Sequence, residues 1–317
     1  MELVTAVKIV TFGEGMVEIS GHIGATGPIT YGGDVLNMTV ALARLGHRPA
    51  FMTAVGRDPW SADLIDRWEA EGVDCSMIAR HPSRVPGLYA IRTDNKGERS
   101  FTYWRDQSAV RDFFALPEHD ALLEKAAGAD LLLLSGITLS LFNPVERSRL
   151  AALAERLRSR GGMVAFDGNF RPRGWASRRD AATAFADFGA YTTVALPTVD
   201  DEALLHGSSD APAAIAARWH ALGVPEVIVK MGPDGAYVSI DGVGQVVPTT
   251  PIAPVDTSGA GDAFGAAYLS ARLARHDAAA AAAFGHRLAS ETVRHRGAIP
   301  PRDAVEQIQH GRPPHSG

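Results

Sequence analysis

The stretch VDTSGAGDAFGAAYLSARL, residues 255–273, decides how the chain is read. Between Asp256 and Asp262 stand only small residues, and an apolar run follows. SGAG (258–261) immediately precedes a helix expected to begin near Asp262. Glycines let backbone N–H groups approach an anion, and a helix N-terminus adds a favourable dipole. The loop therefore has the composition of an anion hole suited to charge developing on a transferred phosphoryl group. Asp262 is the odd residue there, because a carboxylate repels an anion. It fits if it takes a proton from an attacking hydroxyl. It fits equally as a simple helix cap, since acids are favoured in a first turn. The glycines around it tilt the balance towards chemistry. Neither GxxxxGK[ST] nor GxGxxG is matched, because the glycines fall at 259, 261 and 265.

Upstream, strands and helices alternate. VKIVTFGE (7–14) reads as a first strand. GGDVLNMTVALARLG (32–46) reads as a glycine turn and then a helix, with Val35, Met38, Leu42 and Leu45 at helical spacing and Gly46 as its stop. PAFMTAVG (49–56) is a strand, and WSADLIDRWEAEG (60–72) is a helix with Ser61 as its expected cap. ADLLLLSG (129–136), MVAFDGN (163–169), TTVALP (192–197) and EVIVKMG (226–232) are apolar runs of the kind buried on both faces of a sheet. GLYAIRTDNKGERSFTYWRDQSA (87–109) differs: two alternating runs flank DNKG, a hairpin pattern. A second hairpin is expected over 232–248, and an alanine-rich helix over 278–289. The fold class expected is α/β, a mostly parallel sheet covered on both faces.

The bulk numbers agree. The chain has 317 residues, 46% hydrophobic and 21% charged, enough for a full core. A net charge of −5 without a basic block gives no reason to expect nucleic acid. Cys75 is the single cysteine, which excludes an internal disulfide and fits a reducing compartment. The start of the chain has no signal-peptide pattern, and no apolar run nears the roughly 20 residues of a membrane span. A cytoplasmic protein is expected. The eleven histidines show no HxH or HExxH spacing, so a structural metal is not expected.

Two segments carry a resemblance. DTSGAGDAFGAAYLSARL is similar to the C-terminal signature of the ribokinase-like (PfkB) carbohydrate kinases, and YGGDVLNMTVALARLG (31–46) to their N-terminal glycine signature. The order and separation match, and so does the alternation between them. Within the family, ERSFTYWRDQSA (98–109), FDGNFRPRGW (166–175) and LPTVDDEALLHG (196–207) resemble the branch that phosphorylates 2-keto-3-deoxygluconate.

The resemblance implies a ribokinase-like three-layer α/β/α domain over 1–310, with lid segments at about 15–31 and 87–107 and a loose tail at 311–317. It makes Asp262 the base, and Gly259, Ala260 and Gly261 the anion hole. Gly32, Gly33, Asp34 and Asn37 would touch the sugar, although Asp34 is equally well placed to cap the helix that follows. Arg105 and Arg171 would hold a sugar acid's carboxylate, with Tyr89 and Tyr103 lining the pocket. A planar guanidinium suits a carboxylate, and surface ion pairs are the bland alternative for both arginines. For ATP, Thr198, Lys230, Gly232, Gly235, Thr257 and His295 would be contacts together with Gly259 and Gly261. Lys230 also fits as a solvated strand end.

Many relatives carry Asn-x-x-Glu after the central strand, helping to organise Mg2+. Here Thr198 stands for the asparagine, and Asp201 or Glu202 for the glutamate. Mg2+ would ride with the ATP phosphates, and the resemblance admits a monovalent cation such as K+ near the glycine loop. A lid with few strands leaves an uncovered face, which implies a homodimer or a dimer of dimers. The activity implied is phosphorylation of 2-keto-3-deoxygluconate at its terminal hydroxyl. A kinase of a neutral sugar such as fructose or ribose, a nucleoside kinase and a non-catalytic sugar sensor stay open.

Overall fold

The computed structural model describes residues 7–24, 27–93 and 99–309. The tail expected at 311–317 and the DNKG turn at 94–97 lie outside the described residues. Thirteen strands are present among those described: β1 (Ile9–Phe12), β2 (Met16–Ser20), β3 (Ile29–Gly32), β4 (Ala50–Val55), β5 (Ile78–Arg80), β6 (Gly87–Thr93), β7 (Arg99–Trp104), β8 (Leu131–Ser135), β9 (Met163–Asp167), β10 (Val194–Ala195), β11 (Glu226–Lys230), β12 (Ala236–Ile240) and β13 (Val243–Val247). Nine form one sheet in the order β13-β12-β11-β10-β9-β8-β1-β4-β5. Its pairs are parallel from β11 to β5, while β12 and β13 form the antiparallel hairpin expected after residue 232.

The strand alternation explains the two faces. Leu132 and Leu134 of β8 join one apolar cluster with Phe12, Phe113, Phe142 and Phe166. Leu131 and Leu133 join another on the opposite face with Met38, Leu42, Phe264 and Leu269. Every second side chain points the other way, so an unbroken apolar run serves two helical layers. The layer over Leu131 and Leu133 includes the helices Asp34–Arg44, Ala260–Leu273 and Ala278–Thr292.

β2, β3, β6 and β7 make the smaller sheet, ordered β3-β2-β6-β7. This is the lid expected from the two inserted segments. One expected cap is corrected. Asp58, not Ser61, caps the helix Pro59–Ala70: its carboxylate accepts from the Ser61 N–H, and Pro59 occupies the first turn. The Ser61 hydroxyl donates to Asp58 and accepts from the Gly56 N–H instead. No helix among the described residues is long and apolar enough to cross a membrane.

The chain runs from β1 to β4 on one side of the sheet, and later to β8 on the other. Where the order reverses, the carboxyl ends of the strands diverge and leave a crevice. Glu14 follows β1, Asp167 ends β9 and Lys230 ends β11, and all three open into that crevice.

Candidate active site

The crevice is a cleft of about 1170 Å3 between the carboxyl edge of the large sheet and the lid. At its core end, Gly259 precedes the helix Ala260–Leu273 with φ of 73°, and a Cβ there would sit 2.2 Å from the Ala298 carbonyl oxygen. Only glycine fits that turn. Asp256 braces it: Oδ1 accepts from the Ser258 N–H at 3.0 Å, and Oδ2 from the Gly297 N–H at 2.6 Å. The loop is thereby fastened to the segment after the alanine-rich helix. Thr257, Gly259, Ala260 and Gly261 face the cleft, and the first helical N–H groups have no acceptor within the helix.

Asp262 stands on that first turn but does not cap it, since Gly259 holds the cap position. The Asn37 amide donates to Asp262 Oδ2 at 2.8 Å. Burial, then the charges of Asp34 and Asp167, push the Asp262 carboxyl up to about 7, against the Asn37 hydrogen bond and Lys230. A carboxylate titrating near neutrality can accept a proton and release it again.

Asp34 is likewise not a cap, because Gly33, at φ 148°, holds that position. The Asn169 amide donates to Asp34 Oδ2 at 2.9 Å, and Asn169 itself has φ of 31°, uncommon outside glycine. Lys230 is buried rather than a solvated strand end: its ammonium meets both Asp167 oxygens, at 2.9 and 3.0 Å. Burial raises the Asp167 carboxyl above the usual range, and Lys230 opposes the rise. A Cβ at Gly261 would lie 3.5 Å from Lys230 Nζ, so the cation sits beside the glycine loop.

The other end of the cleft belongs to the lid. The Tyr89 and Tyr103 rings stack with centroids 5.7 Å apart. The Tyr89 hydroxyl donates to Glu18, and burial raises that phenol well above its usual range. A Cβ at Gly32 would lie 2.0 Å from the Tyr89 hydroxyl oxygen. Arg105 pairs with Glu14, which is 2% exposed. Arg171 donates to the Phe170 carbonyl at 2.7 Å and to Asp201 at 2.8 Å, with its side chain still 55% exposed.

Of the residues singled out from sequence, Gly33, Asp34, Asn37, Tyr89, Tyr103, Arg105, Arg171, Thr198, Asp201, Lys230, Thr257, Gly259, Ala260, Gly261 and Asp262 line one cleft. Gly32, Gly232, Gly235, Glu202 and His295 do not line it. Glu202 is buried against Arg218 and the Trp219 indole N–H. His295 meets Glu291 at 2.9 Å. Gly235 serves the β12–β13 hairpin, where a Cβ would come 2.4 Å from the Val247 carbonyl. The reading from sequence passed over Glu14, Glu18, Arg111, Asp167, Asn169 and Asp256. Asp167 and Asn169 had a signal: one ends a buried strand and the other lies just past it, where open sheets bind ligands.

No group of three or more His, Cys, Asp or Glu side chains is arranged to hold a metal ion among the described residues. Asp167 and Asp201 already have cationic partners. The described residues thus offer no ready-made cage, and a divalent cation would arrive with the phosphates.

Residues 8–304 match the pfkB family of carbohydrate kinases. The chain is 41% identical over 306 residues to a 2-dehydro-3-deoxygluconokinase of Escherichia coli strain K12, covering 94% of this chain and 98% of that one. Among solved structures, the fold resembles a 2-dehydro-3-deoxygluconokinase from Thermotoga maritima, with a TM-score of 0.83 at 23% identity over 96% of this chain and 99% of that one. It also resembles a Vibrio cholerae fructokinase bound to fructose, ADP and calcium, with a TM-score of 0.79 at 24% identity over 96% and 99% of the two chains.

Proposed function

The chain belongs to the pfkB family of carbohydrate kinases, and on that premise we propose that it transfers the γ-phosphoryl group of ATP to the terminal hydroxyl of 2-keto-3-deoxygluconate, giving the 6-phosphate and ADP. One observation carries the reading: Asp262 stands in the first turn of a glycine-bounded helix, in a cleft that Arg105 and Arg171 also line. The E. coli relative, named for this substrate, supports the choice of sugar acid.

The steps balance. Asp262 takes the proton of the attacking hydroxyl as its oxygen bonds to the γ-phosphorus, and the bond to the β–γ bridging oxygen breaks to leave ADP. Phosphoryl transfer needs positioning and charge stabilisation more than covalent help. The N–H groups of Gly259, Ala260 and Gly261 provide donors, and Lys230 provides a cation beside them. Thr198 and Thr257 line the same end of the cleft. Mg2+ bound to ATP neutralises phosphate charge, as the nucleotide and calcium of the V. cholerae fructokinase suggest. The reading admits K+ beside the Asp256 loop. It makes the lid a cover that excludes water from the phosphoryl group.

The same reading includes a homodimer or dimer of dimers. In β2, β3 and β7, Ile19, Ile29 and Trp104 fall on the lid face opposite Tyr89 and Tyr103, as the strand register requires. All three are exposed, Trp104 at 59%. Such a face suits a second copy of the lid. A monomer in light scattering at micromolar concentration removes this part.

The test of activity is ADP release with Mg2+ and ATP across 2-keto-3-deoxygluconate, 2-keto-3-deoxygalactonate, 2-ketogluconate, fructose, ribose and adenosine. Turnover confined to keto-acids is expected. A neutral-sugar kinase is the second reading, and Glu14 is what favours it, since that carboxylate already balances Arg105. Turnover on fructose or ribose alone would select it.

A further inference from the structure

Glu14 is a residue that phosphoryl transfer does not use. It follows β1, directly below the lid, and its side chain is almost fully enclosed at 2% exposure. Its two oxygens are not equivalent. Oε2 accepts from Arg105 Nη2. Oε1 has no hydrogen-bond partner among the described residues, although it is buried. Glu14 nevertheless lines the cleft. Glycine at 87 leaves room for this oxygen, since a Cβ there would lie 2.6 Å from it. A buried carboxylate oxygen without a donor is unfavourable, and native proteins rarely keep one without a reason. The reason available here is a donor that arrives with the ligand.

We propose that Glu14 Oε1 accepts a hydrogen bond from a secondary hydroxyl of the sugar acid while Oε2 fixes Arg105 for the same molecule. The inference rests on the sugar-acid reading above. The pair then recognises two features of one substrate. The hydroxyl meets an acceptor, and the carboxylate meets a guanidinium whose direction the acceptor has set. Arg111 adds a second guanidinium to this corner. Its Nε donates to the Arg105 carbonyl at 3.0 Å, it lines the cleft, and it feels the charges of both Glu14 and Arg105. Asp106 also acts on Arg111 and lines the cleft, so this corner sets two guanidinium groups beside two carboxylates, and the guanidinium groups are what it offers to an anionic substrate. A site built to bond a hydroxyl rejects the analogue lacking it far more strongly than an apolar pocket rejects a missing methylene. Glu14 is therefore a specificity-determining residue of the sugar end.

The experiment measures KM and kcat for the wild-type enzyme and Glu14→Gln, with 2-keto-3-deoxygluconate and with its analogues lacking the C4 or the C5 hydroxyl. Glutamine keeps the shape but cannot present an acceptor to both Arg105 and the cleft. For Glu14→Gln the sugar KM should rise at least tenfold, with the ATP KM within about twofold of wild type. One deoxy analogue should be at least tenfold worse than the parent for wild type and indifferent to the substitution. Wild type that binds both deoxy analogues as well as the parent overturns the assignment without recourse to any variant. So does a Glu14→Gln enzyme whose sugar KM is unmoved, or one in which sugar KM, ATP KM and thermal stability all change together. Absence of wild-type turnover on the keto-acid overturns the substrate reading itself, and this assignment with it.

Discussion

The Asn37 amide nitrogen lies 2.8 Å from Asp262 Oδ2, joining the first helix of the core to the helix behind the glycine loop across 225 positions of sequence. The bond favours the ionised carboxylate, whereas burial and the Asp34 charge favour the protonated one. The acid that must lose a proton to work is thus held near neutrality by opposing neighbours.

Activity should follow that balance. With Asp262 ionised as the working form, kcat/KM is expected to fall about tenfold per pH unit below about 7. Asn37→Ala removes the bond that lowers the Asp262 pKa, so the acid limb should move to higher pH. Asp34→Asn removes a charge that raises it, so the limb should move to lower pH. Asp262→Asn should lose at least about a hundredfold in kcat. Matched pH profiles of the variants check all four statements, and limbs that coincide would remove Asp262 as the titrating group.

The same shift has a stability cost. The Asp262 carboxyl is raised from 3.8 to about 7, so the folded state holds its proton over a window where the unfolded chain has released it. The cost is absent below about pH 4, grows as pH rises and is complete above about 7. A shift of this size corresponds to about 4 kcal/mol as an upper limit, and solvent in the open cleft reduces it to about 1–2 kcal/mol. Asp262→Asn should therefore melt about 2–4 °C above wild type at pH 8, with no difference at pH 4. A variant that melts lower at pH 8 would contradict the burial of this charge.

Lys230→Met tests the buried pair. It leaves Asp167 without its cation, a change that costs about 3 kcal/mol when a buried partner is removed. Asp167 already titrates above the ordinary range, so the loss should shrink as pH falls and the carboxyl takes a proton. Adding Asp167→Asn should recover most of the stability but not the activity. Chemical denaturation of the two variants at pH 5 and pH 8 provides the readout.

Gly259→Ala should damage chemistry more than sugar binding. Alanine at φ 73° is strained by about 1–2 kcal/mol, and its Cβ would overlap the Ala298 carbonyl. The loop must shift, and with it the N–H groups facing the phosphoryl group. A kcat lower by about a hundredfold, with sugar KM within a few fold, is expected from steady-state kinetics.

Much of this was legible in the sequence because it is local. The glycine loop, the buried strand runs and the lid hairpin each declare themselves within about twenty residues, and the large sheet follows from them, whereas the 15–31 half of the small sheet came only with the family resemblance. What stayed hidden is pairing across distance. Asp34 meets Asn169 over 135 positions, Arg105 meets Glu14 over 91 and Lys230 meets Asp167 over 63. No periodicity encodes such partners. Glu202 shows the opposite hazard: it lies one position from Asp201, yet a helix turns successive side chains by about 100°. One faces the cleft and the other faces Arg218. The Ser61 cap failed for a smaller reason. Pro59 marks the first turn, which makes the residue before it the cap.

The lid leaves the core twice, between Phe12 and the helix at Asp34, and again between β5 and the segment at Ala109. Tyr89, Tyr103 and Glu18 ride on these excursions, while Asp262 and its glycines stay on the sheet side. Inheritance can therefore act on the two ends separately. A lineage can change its diet by rewriting a few strands of the cover, and the machinery that moves the phosphate need not be reinvented.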